Sequence, residues 1–417
     1  MENINVILRI RPLNEKEIKI QEKPAFEITD PFTIQIIPEN AINKNLIQSG
    51  QQLTFKYDKC FNENITNQIL FQDCVESIIN SSLNGVNGTV FMYGQSGSGK
   101  TYTMMGYEKK NTPPQSNKKA KMNQYDYYSQ SPIQNNNRQN YQDIDDIDFD
   151  KINTQTPDDN KGILYLSLKH IFNTISNNKD KAYVVKCSYL EIYNDQIHDL
   201  LSHVQKLNEL LQIGMNQNKE FYIKGVTELS ISNFNEALEV LKMGENNKHY
   251  AQTTMNHNSS RSHSIFKVNV QSIMVKKEKY GINNQSTVIQ SSELNFIDLA
   301  GSEKLSNHQN IEEFLLNSAQ KNQNLSPQDT IKDRIKEGQY INKSLFFLTQ
   351  VISQIAEGKP IIHIPYRNSP LTKILKSSLG GNSRTMIILC ITCAQSQFEQ
   401  TLSTIRFGLN AKKIENK

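Results

Sequence analysis

The chain has 417 residues, 37% of them hydrophobic, and a formal net charge of +4. That is apolar material enough for one large α/β domain or two to three average ones. It contains no run of about 18 apolar residues, which excludes a membrane-spanning helix. The charge is too mild to name an acidic partner. The cysteines, Cys60, Cys74, Cys187, Cys390 and Cys393, are odd in number and argue for reduced thiols. With no signal-peptide pattern at the N-terminus, the expected compartment is the cytosol.

In chain order, residues 6–12 read as an opening strand closed by Pro12, followed by a polar meander to about residue 52. Residues 53–61 read as a strand and 67–83 as an amphipathic helix. Residues 88–93 form a short apolar run that enters a Gly-rich turn and then a helix. Residues 107–160 are rich in Asn, Gln, Ser, Lys and Asp. Such a stretch buries too little apolar surface to offset its ordering entropy. It is expected to be a disordered insertion within one domain, because core-like sequence resumes at Gly162. A strand over 183–192, a helix over 233–243 and strands over 264–275 and 292–298 come next. A second polar insertion covers 305–330. Ile331, Ile335, Leu345, Leu348, Ile352 and Ile355 share one helical face. A shorter helix starts at the N-cap Ser369 with Pro370 at its first position and stops at Gly380-Gly381. Residues 401–414 read as a last helix. Cys390 and Cys393, three apart on a buried strand, face opposite sides and lack the further ligands of a metal site. No sustained heptads occur, so no coiled-coil stalk for dimerisation is expected.

Gly94-Gln-Ser-Gly-Ser-Gly-Lys-Thr101 fits G-x-x-x-x-G-K-[ST] in the required setting, a buried strand before it and a helix after it. The glycines let backbone N–H groups turn inward onto phosphate oxygens. Lys100 is placed to reach the outer phosphates and Thr101 to ligate Mg²⁺. By itself this motif leaves helicase, transporter, GTPase and motor open.

Two further runs narrow the choice. Asn256-His-Asn-Ser-Ser-Arg-Ser-His263 packs short polar donors around one arginine. Asp298-Leu-Ala-Gly-Ser-Glu303 closes a buried strand, with Asp298 placed to hold Mg²⁺ through water and Gly301 flexible enough to meet a γ-phosphate. With these runs the sequence resembles the kinesin family, from residue 4 to 417 outside the two insertions. The first run matches the family's switch I, the second its switch II, and Arg9-Ile-Arg-Pro12 its RxRP motif. The runs at 188–194, 341–345, 363–367, 379–382 and 401–407 agree as well.

The resemblance implies a single motor domain with a central, mostly parallel β-sheet flanked by helices on both faces. It implies a microtubule-stimulated ATPase using ATP and Mg²⁺. Arg9, Pro12 and Tyr102 would sandwich adenine. Arg11, Gly94, Gln95, Ser96, Gly97, Ser98, Gly99, Lys100, Thr101, Asn256 and Ser259 complete the nucleotide contacts. Thr101 and Ser260 would lie on Mg²⁺, with Asp298 acting through water. Arg261 and Glu303 would form a salt bridge that closes the site, positions water and, with Ser260, gives a proton path; Gly301 meets the γ-phosphate. His263 has the alternative reading of a satisfied core histidine, and Glu191 is expected to be a surface strand residue.

The family's tubulin-facing elements correspond to about 331–358 and 363–379, where Lys343, Arg367, Lys373 and Lys376 are the expected contacts. A motor followed by the start of a neck linker at 412–417 implies plus-end movement by analogy, in the cytoplasm on microtubules of transport tracks, spindle or cilium. Departures are Pro370 for a usual basic residue, Leu164 and Tyr165 after Gly162-Ile, and Lys248 for a frequent arginine, which weakens a fork-shaped contact. The second insertion is expected to tune how microtubule binding reaches the active site. A microtubule-binding regulator or depolymerase with weak ATPase remains the alternative. A nucleic-acid translocase lacks the basic strip with interleaved aromatics.

Overall fold

The computed structural model describes residues 2–41, 53–106, 161–203, 209–255, 261–277, 285–303 and 343–416. Both insertions, 107–160 and 305–330, lie outside them, as do Asn256, Ser259 and Ser260.

The main sheet is built from β1 (Asn5–Arg11), β2 (Lys59–Phe61), β3 (Asn87–Tyr93), β4 (Ala182–Tyr193), β5 (Gln196–Asp199), β6 (Leu210–Met215), β7 (Phe221–Lys224), β8 (His263–Lys277), β9 (Gln285–Asp298) and β10 (Ser383–Thr392). Their order is β7-β6-β5-β4-β8-β9-β3-β10-β1-β2, with Leu229–Ile231 pairing onto β4. From β9 to β2 every ladder is parallel. From β7 to β9 every ladder is antiparallel. The mostly parallel arrangement therefore holds only for the half around β3, and the whole sheet is mixed. Connectivity accounts for one of these ladders: β4 and β5 are joined by the two residues Asn194 and Asp195, both at positive φ, and such a hairpin admits only antiparallel pairing.

Among the described residues, the main helical segments flank the sheet. The first, α1, runs through Asn67–Leu70, a π-turn at Phe71–Val75, and Glu76–Ser82. The others are α2 (Lys100–Met105), α3 (Ile163–Asn177), α4 (Phe234–Met255), α5 (343–356), α6 (Pro370–Ile374) and α7 (Phe398–Ala411). Strand side chains alternate between faces, and the two cores follow that alternation. Val90 and Met92 of β3 pack with Leu70, Ile78, Leu168 and Leu241 of α1, α3 and α4. Phe91 and Tyr93 pack on the other face with Leu348, Val351, Leu371 and Leu402 of α5, α6 and α7. Helices thus cover both faces, as expected.

Several elements differ from the sequence reading. The single strand expected over 53–61 is two, because Tyr57 and Asp58 leave the ladder. The Tyr57 hydroxyl donates to the Ile405 carbonyl at 2.6 Å, and Asp58 accepts from Val6 N at 2.8 Å. Thr54–Lys56 joins a small separate sheet with Phe26–Asp30 and Thr33–Ile36. Helix α4 extends twelve residues beyond the expected end at residue 243. The Ser369 cap and Pro370 start of α6 hold, and Thr372 completes a capping box. Of the predicted long helical face, Ile331 and Ile335 lie outside the described residues, and Leu345, Leu348 and Ile352 are buried on α5.

Candidate nucleotide site

Strand β3 delivers the chain to the Gly-rich loop. A Cβ on Gly94 would stand 2.1 Å from the Cys390 carbonyl oxygen of β10, so only glycine fits that turn. Tyr93, one residue earlier, stacks on Phe407 of α7 with ring centroids 3.6 Å apart, fixing where the loop begins. The loop is shaped around its own lysine: Lys100 Nζ donates to Gly94 O at 2.9 Å and to Gln95 O at 2.8 Å. An ammonium has three donors, so among the described residues one is left over for a ligand. Burial lowers the Lys100 pKa, against the pull of Asp298 and Glu303. Ser98 Oγ and Gln95 Oε1 are buried with no hydrogen-bond partner among the described residues. Buried polar atoms are rarely left so, and here they mark a cradle for a polar guest.

The 298–303 run seats directly on this loop. Ser302 N donates to Gly94 O at 3.1 Å. Both Glu303 carboxylate oxygens are taken by Ser96, one from its N–H at 2.8 Å and one from its hydroxyl at 2.5 Å. A Cβ on Gly301 would meet Ser96 Oγ at 2.3 Å, which explains the glycine there. Thr101 Oγ1 donates to Asp298 Oδ2 at 2.7 Å. The other oxygen, Oδ1, is buried and has no hydrogen-bond partner among the described residues. Burial raises the Asp298 pKa, opposed by Lys100 and Lys248. A hydroxyl beside an orphaned buried carboxylate oxygen suits a hard cation that keeps several waters. No group of three or more His, Cys, Asp or Glu capable of holding a metal occurs among the described residues. The donor set therefore fits a phosphate-bound Mg²⁺ rather than a self-sufficient protein cage.

The base-binding corner departs from expectation at Arg9. Its guanidinium is 7% exposed and spent internally, on Asn67 Oδ1, on Thr103 Oγ1 at 2.9 Å and on Ile65 O at 3.1 Å. It lies 5.2 Å from the centroid of the Tyr102 ring, against the face of the side chain expected to meet adenine. Arg11 donates to Gly97 O at 2.6 Å and forks onto Glu17 at 2.7 and 2.6 Å, while Pro12 is exposed. Glu17 and Asn67 were missed in the sequence. The Asn14-x-x-Glu17 capping-box spacing was the available signal for the first; Asn67 had none.

Behind Asp298 sits a buried charged group. Glu191 is 5% exposed, correcting the surface placement expected for it. Burial works against the charge on Lys248, but Glu245, Glu191 and Asp298 together outweigh it and hold its pKa above the usual lysine value. The Tyr189 hydroxyl is hydrogen-bonded to Glu245. Arg261 is half-buried two residues before β8.

His263, the first residue of β8, is 2% exposed. Ala300 N donates to its Nδ1 at 3.0 Å, and its Nε2 stands 2.7 Å from Ser344 Oγ. Burial first, then Lys100, lowers its pKa from the usual 6.5 to about 3. An unfolded chain takes up a proton on this imidazole below pH 6.5 while the folded one does not. Stability is therefore expected to fall as pH falls from 6.5, by up to about 1.4 kcal/mol per pH unit for this one group. Urea unfolding at about pH 7 and pH 5 reads this slope, and His263→Asn is expected to flatten it.

The expected tubulin contacts are separated by their partners. Arg367 is exposed on the turn Tyr366–Asn368. Lys376 Nζ donates to Lys219 O at 2.8 Å and lies 5.4 Å over the Phe221 ring, folded back onto the β6–β7 hairpin. Lys343 pairs with Asp195 at 2.9 Å. Lys373 is half-buried on α6.

Comparison with known proteins matches the family model for the kinesin motor domain over residues 9–414. The chain belongs to the kinesin family. It is 33% identical to Kinesin-related protein 4 of Dictyostelium discoideum over 99% of its length, and 32% identical to Centromere-associated protein E of Homo sapiens over 99%. It is 34% identical to the Kinesin heavy chain of Drosophila melanogaster over 100%. These matches span 17%, 12% and 33% of the relatives, so the chain corresponds to the motor portion of much longer proteins. A solved structure of a fast kinesin, concerned with ATPase mechanism and interactions with microtubules, covers the whole chain and 92% of its own, with a TM-score of 0.72 at 31% identity. Kinesin motor domains bind ATP and are microtubule-stimulated ATPases. Among the described residues, no helix is long and apolar enough to cross a membrane.

Proposed function

We propose that this chain couples hydrolysis of ATP to microtubule binding and movement, directed toward the plus end. The observation that carries the reading is the seating of Ser302 and Glu303 on Gly94 and Ser96, which joins the phosphate sensor to the phosphate loop. ATP entering the loop meets the third Lys100 donor and the Ser98 hydroxyl. Tyr102, backed by Arg9, receives adenine together with Pro12 and Arg11. Asn256 and Ser259 complete the contacts from switch I. Thr101, Ser260 and Asp298 are the residues that would hold Mg²⁺, which when bound neutralises charge on the phosphate oxygens. Gly301 follows the γ-phosphate, and Glu303 leaves Ser96 for Arg261. That closure orients water for in-line attack, and Ser260 with Glu303 carries its proton away, leaving ADP and phosphate. Phosphoryl transfer asks mainly for such positioning and charge stabilisation.

The test is steady-state ATPase of the protein against rising polymerised tubulin at low and moderate salt. Strong saturable stimulation supports the motor reading. Tight binding without stimulation moves it to the microtubule regulator, and absence of both overturns it. Plus-end direction is read from a gliding assay on polarity-marked microtubules with a longer chain.

Arg367, exposed beside α6, is the proposed leading contact with acidic tubulin, with Lys373 next to it; Lys376 and Lys343 join by leaving their present partners. Arg367→Ala is expected to raise the tubulin concentration at half-stimulation about tenfold, about 1.4 kcal/mol, with basal turnover unchanged. The effect should shrink at high salt. Co-sedimentation with microtubules at two ionic strengths checks it. Localisation on cytoplasmic microtubules, of spindle, cilium or transport tracks, follows from the same reading.

A further inference from the structure

We infer that His263 is a positioning residue that couples the nucleotide state to helix α5, by holding the Ala300 amide on one ring nitrogen and the Ser344 hydroxyl on the other. The inference deepens the motor reading and rests on it. Three segments meet at this ring. His263 begins β8, immediately after the switch I residues. Ala300 precedes Gly301, the residue that senses the γ-phosphate. Ser344 is the second described residue of α5, the helix that the motor reading turns toward tubulin, and is 3% exposed.

The partners fix the chemistry. A backbone N–H can only donate, so Nδ1 accepts from Ala300 at 3.0 Å. The proton of the neutral ring then sits on Nε2, where it donates to Ser344 Oγ at 2.7 Å. A neutral imidazole offers one acceptor and one donor on two edges of a rigid ring. When Ala300 and Gly301 move toward a γ-phosphate, the ring cannot bend; it must follow or lose one bond. When it follows, the displacement is carried to Ser344. The covalent route from switch II to α5 runs through residues 304–342, whereas His263 spans the same gap with two hydrogen bonds.

Coupling between two sites is read as the ratio of affinities for one ligand in two states of the other. Microtubule affinity is measured by co-sedimentation with ADP and with a non-hydrolysable ATP analogue, alongside basal ATPase and thermal unfolding. In Ser344→Ala the Ala300 bond is intact and the link to α5 is cut. The ratio between the two nucleotide states is expected to fall at least about fivefold, with basal ATPase within about twofold of wild type. Ser344→Thr, which keeps the hydroxyl, is expected to restore the ratio. If Ser344→Ala proves unstable, His263→Asn cuts the same bridge from the other side, because its shorter side chain meets Ala300 without reaching Ser344; it should lower the ratio equally. A wild-type ratio in a folded S344A or H263N overturns the inference, as does a proportional fall of basal ATPase and affinities in both nucleotide states. If the wild-type protein itself shows no nucleotide-dependent affinity, the motor reading fails and takes the inference with it. A coupled wild type with an equally coupled S344A removes the inference alone.

Discussion

Lys100→Ala is expected to weaken ATP binding by roughly a hundredfold or more, within the 2–5 kcal/mol range typical of truncating one partner of a buried, hydrogen-bonded charge pair. The cost has two sources. The triphosphate loses a cation that burial has already stripped of water, and the carbonyls of Gly94 and Gln95 lose the donor around which the loop is folded. Equilibrium titration with a fluorescent ATP analogue measures the first. Thermal unfolding without nucleotide measures the second and is expected to show a smaller loss, because water can reach vacated carbonyls. Retention of tight ATP binding in the variant would remove Lys100 from the site. Lys100→Arg should not rescue, since a guanidinium cannot occupy a space shaped for an ammonium.

The second large effect falls on turnover rather than binding. Glu303→Ala is expected to bind ATP within a few-fold of wild type and to lose about a hundredfold in microtubule-stimulated kcat, the usual scale for removing one preorganised transition-state contact. The state with Glu303 on Ser96 permits a sharper version. Glu303→Gln can still accept from Ser96 but offers Arg261 no charge. If closure depends on the Arg261 salt bridge, the glutamine variant fails as badly as the alanine. If the carboxylate matters only for its place on Ser96, the glutamine variant works. Single-turnover ATP hydrolysis with microtubules at saturation separates the two, because it isolates chemistry from product release.

The phosphate loop, the Asp298 run and the cap of α6 were legible because each rests on local chemistry: glycines at a turn, a carboxylate ending an apolar strand, a serine before a proline. The alternating halves of β3 were legible for the same reason. What sequence concealed was non-local. Arg9 reads as a free cation beside a nucleotide, and only the fold shows it absorbed by Asn67, Thr103 and the Ile65 carbonyl. Glu191 reads as the polar position of a strand, yet β8 on one side and α4 above it bring Lys248 close enough to keep it buried. The second half of α4 hid for the opposite reason, since Gly244-Glu-Asn-Asn-Lys-His249 carries no apolar face and that stretch is held by buried polar partners such as Asn247 on the Leu200 carbonyl. The β4–β5 hairpin hid because a two-residue turn leaves little trace without glycine; Asn194 and Asp195 tolerate positive φ but do not announce it.

Strands β8 and β9 are paired without interruption from Ser264 opposite Asp298 to Lys277 opposite Gln285. Both segments proposed to sense the phosphate therefore adjoin the same end of one stiff ribbon, whose two strands cannot slide past each other without breaking the whole ladder. Amide hydrogen exchange should record this as a step. The amides of Ile265 and Ile297, inside the ladder, are expected to exchange slowly and equally with ADP or an ATP analogue bound, while protection at Gly301 and beyond changes with the nucleotide. On the proposed reading, the ribbon is the fixed reference against which the presence of one phosphate group is measured.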